Sequence, residues 1–226
     1  MRHFLISLLS IISLYACHPK QSKPDNNLIE YAKESLPPSI ENYSKVESDT
    51  IIIDSRYTFD ESLKGSNAPQ AIIDQLKLID VTYISTDEKL HQGQILTNKR
   101  LVDDLLELFD FMLDQGFVIE KAIPVVAYNW SDSLSMGDNN TYSFCYRNIS
   151  YSNHAKGLAI DINPRFNPLR WKNKDLPNEP QGAVLDTTVN GTLHPEHFVV
   201  KEFRRRGFRW GHTFSKYWDD HHFERR

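Results

Sequence analysis

The chain has 226 residues, 40% hydrophobic and 12% aromatic, which is enough to build a sizeable core in one domain plus a tether. Its formal net charge is -4 and no basic stripe with interleaved aromatics runs through it, which excludes nucleic acid as a partner. The one tight basic cluster, Arg204-Arg205-Arg206, falls in the last turn of a predicted helix, where cations complement the carbonyl end.

Met1-Arg2-His3 gives a charged start to an apolar run from Phe4 to Ala16, too short to span a bilayer comfortably as a helix. Residues 1–16 read as a secretory signal. Leu14-Tyr15-Ala16-Cys17 resembles the bacterial lipobox, in which a small residue precedes a cysteine that is lipidated and becomes the new N-terminus. An ordinary signal peptide with a chance cysteine, or a short membrane anchor, is the competing reading; the cysteine stands where cleavage would fall, which favours lipidation. The expectation is a cell-envelope protein anchored to a bacterial membrane through Cys17, on its periplasmic or outer surface. With Cys17 acylated, Cys145 is left alone and no intramolecular disulfide forms, so stability must come from the core.

Residues 17–70 are rich in Ser, Pro, Asn and Lys, with apolar islands such as Ile51-Ile52-Ile53, and read as a tether with some local structure. The folded domain is expected over 71–226. Ala71 through Leu78 predicts a short helix, and Val81 to Ile84 a strand. The segment Asn98 to Gln115 places Leu101, Val102, Leu105, Leu108, Phe109 and Met112 on one helical face, with Thr97 or Asn98 as N-cap and Gly116 past the end. Phe117 to Ile123 predicts a strand ended by Pro124, and residues 129–142 a polar loop. A long Pro/Asn-rich loop runs from Asn163 to about Asn190. Pro195 and Gly207 bracket a helix with Phe198, Val199 and Phe203 apolar, and no internal repeat occurs.

Chemistry concentrates in two places. If Leu158 to Ile162 is a strand, Leu158, Ile160 and Ile162 face the core while Ala159 and Asp161 share the other face. Asp161 then looks into a site, and Gly157 lets the chain turn so that His154 returns to the same place. An imidazole and a carboxylate converging there are two ligand types that zinc accepts. The second place is Trp218-Asp219-Asp220-His221-His222-Phe223-Glu224, which offers a third nitrogen ligand. A His/Asp/His set leaves a fourth tetrahedral position open, as catalytic rather than structural zinc sites do. On a helical turn or kinked segment, Asp219 could meet His222 and stand beside the metal without ligating it.

These residues resemble the zinc D-alanyl-D-alanine carboxypeptidases and related endopeptidases of cell-wall peptides, the VanY-like group with its hedgehog-like zinc peptidase fold. The first family motif, Ser-x-His-x-x-Gly-x-Ala-x-Asp, is matched at Ser152, His154, Gly157, Ala159 and Asp161. The second, an acidic residue three before a His-Phe pair, is matched at Asp219, His222 and Phe223. The resemblance covers roughly 70–226, including Arg206-Gly207-Phe208-Arg209-Trp210-Gly211, with His212 standing where members commonly have a second glycine. It implies one zinc ion per chain held by His154, Asp161 and His222, with Asp219 as general base and peptidoglycan peptides as substrate. The alternative register, Asp220 with His221, stays open; Phe223 directly after His222 favours the first.

Arg147, seven residues before His154, matches an arginine that in this family binds a substrate carboxylate; a salt-bridged strand arginine is the other reading. Ser152 either hydrogen-bonds near the metal or caps the turn. His194 and His197 flank Pro195-Glu196 at a helix start and read as structural. The expected fold is α+β, a small antiparallel sheet carrying the zinc site and packed against helices, in a monomer. The expected activity is hydrolysis of stem peptides of the D,D-carboxypeptidase type. An L-alanyl-D-glutamate-type endopeptidase and a non-catalytic zinc-containing wall- or protein-binding module are the alternatives.

Overall fold

A computed structural model of the protein describes residues 51–149 and 151–225. The expected signal segment and Cys17 lie outside them. Within the stretch read as tether, β1 (Ile52–Ile53) pairs in parallel with a later strand, and α1 (Phe59–Ser62) is a single turn fixed by a reciprocal Thr58–Glu61 capping box. Phe59, Leu63 and Ala68 pack against Leu76, Leu96 and Phe144, so this segment covers one side of the domain.

After α2 (Gln70–Ile73) the chain becomes strand at once: β2 (Leu76–Ile84) and β3 (Leu90–Asn98) form an antiparallel hairpin in register from Leu76 opposite Asn98 to Ile84 opposite Leu90. The helix expected to reach Leu78 therefore stops at Ile73. Its apolar spacing belongs to a strand buried on both faces, with Leu76 and Leu78 against the N-terminal segment and Ile79, Val81 and Tyr83 in the main core. The sheet order is β1-β3-β2.

Asn98 closes β3 and accepts a hydrogen bond from the Arg100 amide (3.1 Å), starting a short 3-10 turn that continues into α3 (Val102–Asp114). Val102, Leu105, Leu108, Phe109 and Met112 are its buried face, as the 3.6-residue period requires. Residues 117–123 do not make the regular strand that their composition suggests. Their backbone groups go singly to different partners, Ile119 to Ile84 (3.0 Å), Ala122 to Gln94 (2.8 Å) and Lys121 to Thr141 (2.9 Å), so no ladder extends. The polar stretch that follows holds one short helix, α4 (Asp132–Gly137), capped by Ser131.

The C-terminal half is built from β4 (Ala159–Asp161), β5 (Leu169–Trp171), α5 (Phe198–Arg205), β6 (Arg209–Trp210), β7 (Tyr217–Asp219) and β8 (His222–Glu224). The strands of an antiparallel sheet of order β4-β8-β6 and of a two-stranded ribbon β5-β7 alternate along the sequence, and β7 passes into β8 at the Asp220-His221 corner. Helix α5 seals the sheet from behind: Phe203 stacks on Phe223 (4.2 Å between ring centroids) and meets Phe208 edge-on (5.2 Å). It begins at Phe198 rather than Pro195, with His197 as N-cap: the His197 Nδ1 accepts the Val199 amide (3.2 Å), and burial depresses that imidazole to about 4, keeping it a neutral acceptor.

The long Pro/Asn-rich loop is held by two buried asparagines. Asn163 donates to the Val118 and Gly191 carbonyls and accepts from the Glu120 amide. Asn167 donates to Ile162 and Gly191 and accepts from Leu193. Side-chain amides thus replace the ladder hydrogen bonds that an irregular segment lacks. The whole is α+β, with small antiparallel sheets and helices against them, as expected.

Candidate metal centre

Gly157 organises the first half of the site. At φ +65 it ends the 3-10 turn His154–Lys156, and a Cβ there would lie 2.7 Å from the Asn98 amide nitrogen. The reversal sends the chain into β4, where Ile160 enters the core and Asp161 the opposite face. Asp161 exchanges backbone hydrogen bonds with Tyr142 (2.9 and 3.1 Å) and lies opposite His222 in the β4–β8 register. Residues 68 apart in sequence are so brought to one point.

That point is a near-equilateral triangle of donors. His154 Nε2 is 3.1 Å from Asp161 Oδ1, His222 Nδ1 is 3.0 Å from the same oxygen, and the two imidazole nitrogens are 3.0 Å apart. All three residues are buried, and together they form a group that could hold a metal ion. Tetrahedral zinc with Zn–N of about 2.0–2.1 Å spaces its donors roughly 3.3 Å apart, so the triangle fits. Two imidazoles and a carboxylate packed this closely need either shared protons or a cation between them.

The surroundings fix which nitrogens face inward. His154 Nδ1 donates to the Ser143 carbonyl (2.7 Å), which leaves Nε2 as the lone-pair donor. On His222 the inward atom is Nδ1, and Nε2 lies 3.4 Å from Glu224 Oε2, itself held by the Asn153 amide (2.6 Å). Charge follows the same plan. Burial would raise the Asp161 carboxyl, but the His154 and His221 charges and hydrogen bonds from His154 and His222 hold it well below the usual range. Burial alone would depress His222, and hydrogen bonds to Asp161 and Glu224 outweigh it, lifting the imidazolium to about 10.

Asp219 ends β7 at the edge of the same cleft, a cavity of about 520 Å³. Its Oδ1 is buried and lacks a well-aligned hydrogen bond among the described residues, although His221 Nε2 lies 2.9 Å away. His221 donates from Nδ1 to the Asn167 carbonyl (2.8 Å) and stands 3.8 Å from Asp161 Oδ2, so it bridges Asp219 to Asp161 outside the donor triangle. Of the two registers, the geometry puts His222 among the donors. Asp220 points elsewhere, paired with Arg170 (2.8 Å) and His212 (2.6 Å).

Ser152 accepts the Ala155 amide (3.3 Å) and so caps the turn that carries His154, while lining the cleft. Arg147 also lines the cleft, with its guanidinium on Asp132 (2.9 and 3.1 Å); Asp132 accepts the Tyr142 hydroxyl as well. Cys145 is buried, and burial pushes its thiol up to about 12, the behaviour of an inert packing residue. Glu224 and Asn153 were not singled out as site residues from the sequence, and His221 entered only as the histidine of the alternative register. Strand alternation after His222 puts Glu224 on the same face and was the available signal; the reach of Asn153 across 71 residues had none.

A family model described as D-alanyl-D-alanine carboxypeptidase matches residues 147–225, a span that holds the donor triangle, Asp219, Glu224 and Arg147. No curated protein and no solved structure matches the chain.

Proposed function

We propose that the chain is a zinc-dependent peptidase that hydrolyses peptide bonds in peptidoglycan stem peptides at the bacterial cell envelope, anchored through lipidated Cys17. The observation that carries this is the His154–Asp161–His222 triangle opening on the cleft that Asp219 also lines. The likeness of residues 147–225 to D-alanyl-D-alanine carboxypeptidases supports the substrate class and a carboxypeptidase type of cleavage.

Zinc, when bound, supplies a Lewis acid that polarises a carbonyl and acidifies water. The chain's own residues do the rest. His154 and His222 present fixed lone pairs because Ser143 and Glu224 take their other nitrogens. Asp219, held at the cleft edge by His221 Nε2 2.9 Å from its Oδ1, accepts the proton of the attacking water and returns it to the leaving amine. His221, pushed up to about 9 against its burial by Asp219 and Asp161, places a cation between these two carboxylates and helps hold the Asp161 carboxyl low. A pure binding module has no use for such a base.

One observation favours a second reading, an endopeptidase cutting inside the stem peptide. Asp132 already neutralises the Arg147 guanidinium, so that cation is not idle and waiting for a terminal carboxylate. The deciding experiment incubates the zinc-loaded protein with defined muropeptides and reads products by mass, with a chelator control. Loss of the terminal D-alanine supports the carboxypeptidase, internal fragments the endopeptidase. No cleavage at all would defeat the peptidase reading.

A further inference from the structure

The ribbon β5-β7 carries more than Asp219. Antiparallel register sets Leu169 opposite Asp219 and Trp171 opposite Tyr217, so these four side chains share the face that reaches the cleft, while Arg170 and Trp218 share the other. Arg170 stacking on Trp218 at 5.0 Å bears out that division. Outward from Asp219 the cleft face therefore becomes aromatic: Tyr217 and then Trp171, with ring centroids 5.6 Å apart and planes at 73°. On the cleft's margin stands Tyr151, 84% exposed, next to the turn that carries His154. An aromatic residue left that open beside a catalytic cleft has no packing role.

The cations nearby add to the pattern. Lys174 lies over the Trp171 ring at 5.2 Å, and Lys216 is exposed on the cleft rim; neither is in an ion pair among the described residues. The chain as a whole is net negative and Glu179, bridged to Leu169, also lines the cleft, so these two cations are a local feature of its outer margin. Flat aromatic rings with a polar edge suit the apolar faces of sugar rings, and ammonium groups suit the carboxylates of neighbouring peptides and of sugars whose peptide has been removed.

We infer that Tyr151, Tyr217 and Trp171, with Lys174 and Lys216, form a subsite for the amino-sugar glycan strand to which stem peptides are amide-linked. The identity of that strand rests on the peptidase reading. The peptide enters the cleft toward Asp219 while the strand lies along the β5-β7 face, which selects peptides still attached to glycan over free ones. Continuity of the aromatic face with the cleft argues for this occupant, because a strand-linked peptide must bring its strand to this rim.

The test uses the full chain, purified in mild detergent and carrying Asp219→Asn to stop turnover, and measures binding to peptide-free glycan strands by co-sedimentation. Trp171→Ala should weaken binding about tenfold, and Trp171→Phe should restore most of it. Tyr151→Ala, at a position too exposed to matter for folding, should weaken it as well. Unchanged metal uptake in each variant guards against misfolding. No binding by the parent protein, or equal binding by Tyr151→Ala, or equal binding of a sulfated dextran without amino sugars, overturns the proposal. Strand binding without cleavage of any muropeptide would sink only the peptidase reading; cleavage without strand binding would sink only the subsite.

Discussion

Glu224 follows His222 by two residues, and in a strand that spacing returns both side chains to one face. A carboxylate behind a ligating imidazole fixes its orientation and raises its basicity, and losing such a partner costs about 10–100-fold in metal affinity. Glu224→Gln keeps the shape and drops the charge, so zinc affinity measured by competition with a chromogenic chelator should fall by that factor. Equal affinity would remove Glu224 from the support of the site. Asp219→Asn should behave oppositely: full zinc content, with turnover on muropeptides cut by about 10²–10⁴, the usual share of a general base. Turnover near that of the parent would refute the base assignment. His154 and Asp161 were legible in the sequence because alternation and one glycine sufficed to bring them together. The choice of His222 over His221 came from the family motif alone, through Phe223; its physical cause, the chain leaving the β5-β7 ribbon and joining the β4-β8-β6 sheet at that corner, was not legible.

Among elements, α3 could be read from its apolar period alone, because the pattern is long and its cap and stop signals agree. The misreadings have one cause: tertiary partners decide where local signals are short. Residues 76–78 join a two-faced strand and residues 117–123 a series of single hydrogen bonds, neither visible until β3 and the asparagine anchors are in place. The strain-bearing element is the turn at Gly157. Gly157→Ala adds a Cβ 2.7 Å from a backbone nitrogen at φ +65, and should cost about 1–3 kcal/mol in urea unfolding. A variant as stable as the parent would mean that the turn relaxes freely. The Asn167 side-chain amide holds four backbone groups, those of Ile162, Asn163, Gly191 and Leu193, while its backbone carbonyl receives His221. Asn167→Ala should cost roughly 3 kcal/mol by stranding buried polar groups, and neutral stability in the same assay would show that water replaces them.

At the scale of the whole molecule the donor triangle joins the turn at His154, strand β4 and strand β8, so a cation there links distant parts of the chain and metal binding becomes folding energy. Its pH dependence has a definite sign. Unfolded histidines titrate near 6.5, whereas the metal-free fold holds His222 at about 10 and His221 at about 9. The stability from those raised values is complete below about 6.5 and drains away as pH climbs through 9 and 10. Zinc requires the His222 nitrogen without its proton, so its affinity rises about tenfold per pH unit for each proton displaced in the same window. Metal-free stability falls while metal affinity grows, and the gap between them must widen. Thermal unfolding with saturating zinc and with chelator, compared at pH 6.5 and pH 8, should therefore show a larger zinc-induced rise in Tm at the higher pH. A rise that is constant or smaller at pH 8 would mean that protons and metal do not compete for His222, and the donor triangle would not be where the cation binds.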